Sequence, residues 1–301
     1  MNGEKTQIGK AALWMTGAIA AFTSMGVAGR ELSVTHDTFE IMFFRSLVGI
    51  FIVAIALSAT RGWSQITTRR IGLHGIRNVV HFTGQNLWFY AVGAIPLAQA
   101  FALEFSQPLW VVLLSPLLLK ERLTTVRILA ALAGFAGILL VTRPGTAPIS
   151  IGMIAAATSA IFFALTAITT KSLTRVASIG CIMFWLTTMQ AVLGLLAAGF
   201  DGQITMPTPQ TIPFLVLVGF AGLLAHFCIT NALAIAPATV VVPCDFARLP
   251  TIAIVAFLLY GEPLDVRTML GAVVIFSGIF LNVWSEKRNN SATPAVTSPS
   301  E

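Results

Sequence analysis

Charge is what this chain has least of. Only 10% of its 301 residues are Asp, Glu, Lys or Arg, against roughly 25% in a water-soluble domain. So few charges cannot cover a water-facing surface, and lipid must be much of the chain's solvent. The formal net charge of +6 does not mark a nucleic-acid binder, because the basic residues sit in short loops between apolar runs. Cysteine is scarce too. Cys181, Cys228 and Cys244 each lie inside an apolar segment, with neither disulfide nor zinc spacing, and read as packed thiols. No Walker A loop is present and no run is polar enough for a soluble ATPase domain, which argues against direct drive by ATP. There is no HExxH, and His74 and His81 are seven apart, which argues against an intramembrane metal enzyme. No metal site and no cofactor motif is read.

What is present is apolar sequence, 56% of the chain at a mean hydropathy of +0.86. A bilayer-crossing helix needs about 20 mostly apolar residues. Ten runs qualify: 11–28, 40–59, 73–94, 97–118, 125–142, 151–170, 178–199, 211–233, 238–260 and 267–285. The expected fold is therefore an all-α polytopic membrane protein with ten transmembrane helices. With the N-terminus cytoplasmic, twelve loop Lys and Arg fall inside, among them Lys10, Arg61, Arg69, Lys120 and Lys171. Only Arg30, Arg143 and Arg267 fall outside. That bias puts both termini in the cytoplasm. The first run has lysines, an apolar stretch and "GVA" near its end, as a leader does, but the repeat below requires it as a helix. Residues 287–301 are polar and Pro/Ser-rich, the composition of a disordered tail.

The chain matches itself at a shift of 141 residues. "IMFF" at 41–44 falls on "IMFW" at 182–185, and "AVGAIP" at 91–96 on "ALAIAP" at 232–237. "LLLKERL" at 117–123 falls on "LLYGEPL" at 258–264, and "GFAGILL" at 134–140 on "IFSGIFL" at 275–281. The units are 1–147 and 148–286. Each has five spans, an odd number, so the second enters the membrane from the other side. Inverted repeats of this kind let two halves exchange conformations around a midplane site, as in many secondary transporters.

The same shift carries Glu104 onto Asp245. A carboxylate at the bilayer centre is costly, on the order of 2.5–3.5 kcal/mol on insertion scales, and here it occurs at equivalent depth twice. Glu104 and Gln107 are three apart and share a helix face, and Pro108 breaks the backbone ladder nearby. In "PCDFARLP", Asp245 and Arg248 are placed to pair within one helix. That pair suits a structural bridge or a transport role. In the third run His74, Arg77, His81, Gln85 and Trp88 recur at helical spacing and form one face. Such a stripe lines a cavity or joins helices. His74 is near the cytoplasmic end, and Arg77 is within snorkelling reach of that interface. Arg45 needs a counter-charge, for which the candidates are Glu104, backbone carbonyls or a substrate carboxylate or phosphate. Phe82, Trp88, Phe89, Tyr90, Phe101, Phe105 and Trp110 cluster in the same region, some for lipid and some to stack a flat ring. Pro96 and Pro237 start helices four and nine as first-turn residues. Glu121 and Glu262 read as capping, interfacial residues.

With Arg45 early in the second helix, "YAVGAIPLAQAFAL", "KERLT" and "GFAGILLVTRPG", the chain resembles the drug/metabolite transporter superfamily, and within it the EamA-type ten-helix transporters. The likeness runs from about residue 10 to 286. The second unit departs from it with Leu186 where the first has Arg45. The resemblance implies a bacterial inner-membrane carrier with a central cavity, moving a small organic metabolite in either direction. "HFTGQNLWFYAVGAIPLAQAFALEFSQPLW" is most similar to the riboflavin and S-adenosylmethionine uptake members. Riboflavin uptake is the first expectation. S-adenosylmethionine or another nucleoside-like metabolite is the second, and amino-acid or drug export the third. The expected site comprises Glu104, Asp245, Arg45, His81, Gln85, Trp88, Gln107 and Arg248. Glu104, removed from water, is a candidate proton carrier. No partner is expected beyond substrate, lipid and, in a homodimer, a second copy.

Overall fold

The structure is a computed structural model that describes residues 7–121, 124–142, 149–200 and 202–261, with isolated positions between 270 and 284. Most of the run 267–285, the tail 287–301, and Lys5, Arg122, Arg143, Glu262 and Arg267 lie outside the described residues.

Backbone N–H and C=O groups have no water to bond in lipid, so apolar runs must satisfy them internally, as helix. The first half forms α1 (Ile8–Leu32), α2 (Thr38–Ala59), α3 (Ile71–Ala94), α4 (Leu97–Glu104), α5 (Gln107–Leu118) and α6 (Thr125–Thr142). The second forms α7 (Ile151–Leu173), α8 (Ile179–Ala198), α9 (Ile212–Ile235), α10 (Ala238–Val241), a 3-10 turn (Val242–Ala247) and α11 (Arg248–Tyr260). Among the described residues six helical stretches are long and apolar enough to cross a membrane: α1, α2, α7, α8, α9 and Ala238–Leu259. The chain is a multi-pass membrane protein. At 24 residues α3 is equally long, and its polar stripe is what lowers its hydropathy.

The fourth run is not one helix, as read from the sequence, but two. α4 ends at Glu104 and α5 starts at Gln107. The ninth breaks at the equivalent place, into α10, the 3-10 turn and α11. Pro108 sits in the first turn of α5, where a missing N–H costs nothing. Pro96 and Pro237 are N-cap residues of α4 and α10, one position before the expected first turn.

Structural starts follow the repeat. α2, α3, α4 and α5 begin at Thr38, Ile71, Leu97 and Gln107. α8, α9, α10 and α11 begin 141 residues later, at Ile179, Ile212, Ala238 and Arg248. The packing is two-fold in the same sense. α1 lies along α9 while α7 lies along α3, α2 meets α8, and α4 meets α11 as α10 meets α5. Exchanging each helix for its equivalent returns the same set of pairs. The fold is thus an all-α membrane protein of two inverted repeats, whose halves interleave.

Two polar ties meet at the junction of α9 and α10, one between the halves and one within the second. Glu121 accepts hydrogen bonds from the Ala238 and Thr239 backbone N–H groups and from Thr239 Oγ1, at 3.0, 3.3 and 2.9 Å. It caps a helix, as expected, but one belonging to the other half. Lys171 Nζ donates to the Leu233 and Ala236 carbonyls at the end of α9, at 2.5 and 2.8 Å. The three cysteines are free and buried.

Small residues let the helices close. A Cβ on Gly194 of α8 would come within 2.9 Å of the Phe43 backbone N and Cα in α2. Gly194→Ala should therefore force α2 and α8 apart and cost about 1–3 kcal/mol. Thermal unfolding in detergent reads this. Gly72→Ala, with open space around its Cβ, should show no such loss.

Candidate functional site

The breaks in the fourth and ninth runs face each other across the middle of the fold. Glu104 closes α4, Asp245 lies in the 3-10 turn, and Arg248 opens α11. Arg248 Nη2 donates to Glu104 Oε1 at 2.6 Å and to Asp245 Oδ2 at 2.7 Å. Trp88 Nε1 on α3 donates to Glu104 Oε2 at 2.5 Å. All four side chains are buried. The Arg248 guanidinium is held between the rings of Phe22, Phe101 and Phe105, 4.8–5.1 Å from their centroids, a cation–π setting that strengthens away from water.

This triad forms one wall of a small central cavity. Glu104, Asp245, Arg248, Gln107, His81, Gln85 and Trp88 all line it. The His81 and His226 rings stand edge to face, 4.5 Å between centroids. Several polar atoms lining the cavity are buried without a partner among the described residues: Asp245 Oδ1, Arg248 Nε, Gln85 Nε2, both His81 ring nitrogens and His226 Nε2. Buried polar groups are normally hydrogen-bonded. A wall holding unmatched donors and acceptors together can complete its bonds with a polar solute. Phe22, Phe163 and Trp88 supply the aromatic faces.

Arg45 is not in this wall. Glu104 is not its counter-charge: the ion pair of Glu104 is with Arg248, and its other hydrogen bond is from Trp88. Arg45 lies against α9, where its Nη2 would be 2.7 Å from a Cβ on Gly222. His74 is buried beside Trp185 rather than interfacial. Arg77 does not snorkel: at 1% exposure it donates to Thr170 Oγ1 and Asn78 Oδ1. Of the expected aromatics, Tyr90 faces outward at 46% exposure, while Phe89, Phe101 and Phe105 pack in the core. The sequence reading missed Phe22, Phe163, Thr166, Thr170 and His226. The repeat pointed to His226, which stands 141 residues after Gln85.

Among the described residues no group of three or more His, Cys, Asp and Glu is placed to hold a metal ion. The EamA-like transporter family model matches residues 9–143 and again 150–284. An S-adenosylmethionine uptake transporter of Rickettsia bellii is 26% identical over 275 residues, covering 91% of this chain and 94% of the relative. A riboflavin transporter of Brucella anthropi is 28% identical over 266 residues, covering 87% and 94%. One of Vibrio cholerae is 28% identical over 285 residues, covering 92% and 94%. A solved crystal structure superimposes with a TM-score of 0.76 at 20% identity, over 93% of this chain and 99% of that one. That likeness shows the fold.

Removing Arg248 leaves two buried carboxylates facing each other. Arg248→Met should cost about 3–5 kcal/mol in unfolding free energy. Adding Glu104→Gln and Asp245→Asn should recover most of it. A triple variant no more stable than Arg248→Met alone would mean that the guanidinium acts through packing with the three phenylalanines.

Proposed function

The chain belongs to the EamA-like transporter family, and from that premise we propose that it is a bacterial inner-membrane secondary transporter importing a nucleoside-like metabolite, with S-adenosylmethionine first. The observation that carries this reading is the composition of the central cavity. It has two carboxylates to one guanidinium in the triad, with Asp245 Oδ1 unpartnered and aromatic rings beside them. A cationic solute with a flat ring complements that wall. S-adenosylmethionine carries a sulfonium, an ammonium and an adenine. Riboflavin is the second reading. It is uncharged at neutral pH, and what favours it is the aromatic lining together with relatives that bear its name.

In this proposal Glu104, Asp245, Arg248, Gln107, His81, Gln85 and Trp88 bind substrate or couple its movement. Residues 1–147 and 148–286 act as the two rocking units, with a cytoplasmic tail at 287–301 and both termini cytoplasmic. The chain works as a monomer or homodimer. Alternating access follows from the geometry of the repeat: the cavity lies between halves of opposite orientation, so one packing opens inward and its counterpart outward. The chemistry of the wall is that of binding. A simple pore is separated by saturable uptake with counterflow.

Uptake of labelled S-adenosylmethionine and riboflavin by bacteria lacking their own importers tests the reading. S-adenosylmethionine should enter saturably only when the protein is expressed. Glu104→Gln should abolish uptake while the protein remains folded in the membrane, and wild-type rates in that variant would reduce Glu104 to a tolerated polar residue. Uptake of riboflavin alone would exchange the two substrates. Uptake of neither, by protein shown to be in the membrane, would remove both. If Glu104 carries a coupling proton, collapsing the pH gradient should slow wild-type uptake, whereas insensitivity would leave exchange or facilitated diffusion.

A further inference from the structure

A second polar group borders the cavity behind Thr170 and Met25. Arg45 on α2 and Arg77 on α3 are both buried, at 6% and 1% exposure. Neither has a carboxylate partner among the described residues. The bonds described for Arg45 and Arg77 go to Met42 Sδ, Thr170 Oγ1 and Asn78 Oδ1. None of these atoms carries a charge. Guanidinium groups do not shed their proton in proteins, and burying a charge without a counter-charge costs several kcal/mol.

The two arginines lie within electrostatic reach of each other and of His81 and His226. This group is continuous with the cavity. Thr170, which accepts from Arg77, lines it, as do both histidines and Met25. Met25 Sδ and the Arg45 guanidinium lie against the same point on Gly222. Both His81 ring nitrogens are unpartnered at 1% exposure.

The repeat makes a purely structural need for these charges unconvincing. At a shift of 141, Arg45 falls on Leu186 and Arg77 on Val218. Both are buried in the corresponding helices, at 3% and 0% exposure. The same helix positions pack well with aliphatic side chains. The first half keeps two buried cations where its twin has none.

We propose that Arg45 and Arg77, with His81 and His226 at the cavity wall, form an anion subsite that takes the carboxylate of an amino-acid-like substrate. The cavity then has two unlike ends: cationic groups of the solute meet Glu104 and Asp245, and its carboxylate meets the arginine pair. This rests on the reading of the cavity as the transport site, and it adds a requirement that riboflavin, with no carboxylate, does not meet.

The subsite is tested first with acetate as the probe, independently of any transported substrate. Purified full-length protein in nanodiscs should broaden the carboxylate resonance of 13C-labelled acetate. Arg45→Leu and Arg77→Val, which copy the second half, should lose the broadening. Arg69→Gln, at an exposed loop position, should keep it. No broadening by the wild type, or broadening retained by both cavity variants, would overturn the subsite. The assignment to substrate is tested with S-adenosylmethionine against its decarboxylated analogue, which keeps adenine, sulfonium and amine. Wild type should bind the carboxylate-bearing form about tenfold more tightly. Arg45→Leu should lose that preference while binding the analogue as before. Equal binding of the two by wild type overturns the assignment. Binding of neither, with acetate still broadened, also overturns it for S-adenosylmethionine, and the failure then belongs to the choice of substrate.

Discussion

Everything at the centre of this protein depends on Arg248 holding two carboxylates apart and together at once. Glu104 belongs to the first half, and Asp245 to the second, on the same turn as Arg248. The bond to Asp245 is local, three residues along one chain segment. The bond to Glu104 joins positions 144 residues apart in sequence. Without the guanidinium, two acids would face each other in a low-dielectric interior where like charges repel strongly. With it, they anchor the two broken helices of the bundle against each other. The breaks themselves follow from the same constraint. A continuous helix satisfies its own backbone, whereas a helix interrupted at Phe105–Ser106 or through Val242–Ala247 leaves polar backbone to be satisfied at a cavity.

The repeat supplies the mechanics, and departures from it supply the chemistry. Equivalent helices start at equivalent residues and pack in exchanged pairs. That is what a device with two mirror-related packings requires. At the cavity the equivalence is kept at Glu104 with Asp245 and at Phe22 with Phe163, and lost at most polar positions. Gln107 corresponds to Arg248, Gln85 to His226, His81 to Gly222 and Arg45 to Leu186. A perfectly symmetric cavity would present the same groups at both ends, so it could not distinguish the ends of an unsymmetrical solute. In the proposed site the substitutions set carboxylates against an arginine–histidine group while the framework stays duplicated.

Much of this was legible before any coordinates. Apolar runs of fixed length and a constant internal shift determine helix count and inversion, because both depend on spacing alone. Glu104, Asp245, Arg248 and the polar stripe of α3 could be identified because charge is so rare in this chain that each buried instance stands out. Which charge meets which could not be read. Arg45 and Arg248 were both available to Glu104, and only the packing of α11 against α4 decides for Arg248. The aromatic groups were least legible. Phe22 and Phe163 share their helices with Trp14 and Phe162, and nothing local separates an aromatic ring facing a cavity from one facing lipid, such as Tyr90.

The position of Arg248 also constrains how the halves can move. Its bond to Asp245 lies within one half and survives a rigid rotation of that half. Its bond to Glu104 crosses between halves, so any rocking that opens the cavity must stretch it or drag α4 along. Glu104 has one further anchor, Trp88 of α3, in its own half. The carboxylate therefore stays with the first half and the guanidinium with the second, and their contact is the element that opening must exchange for something else. A solute cation can replace Arg248 at Glu104, and a proton can make Glu104 neutral and release it. In the proposed transport cycle either event lowers the cost of separating the halves, so that occupancy of the cavity and access to it would be coupled through competition for one buried carboxylate.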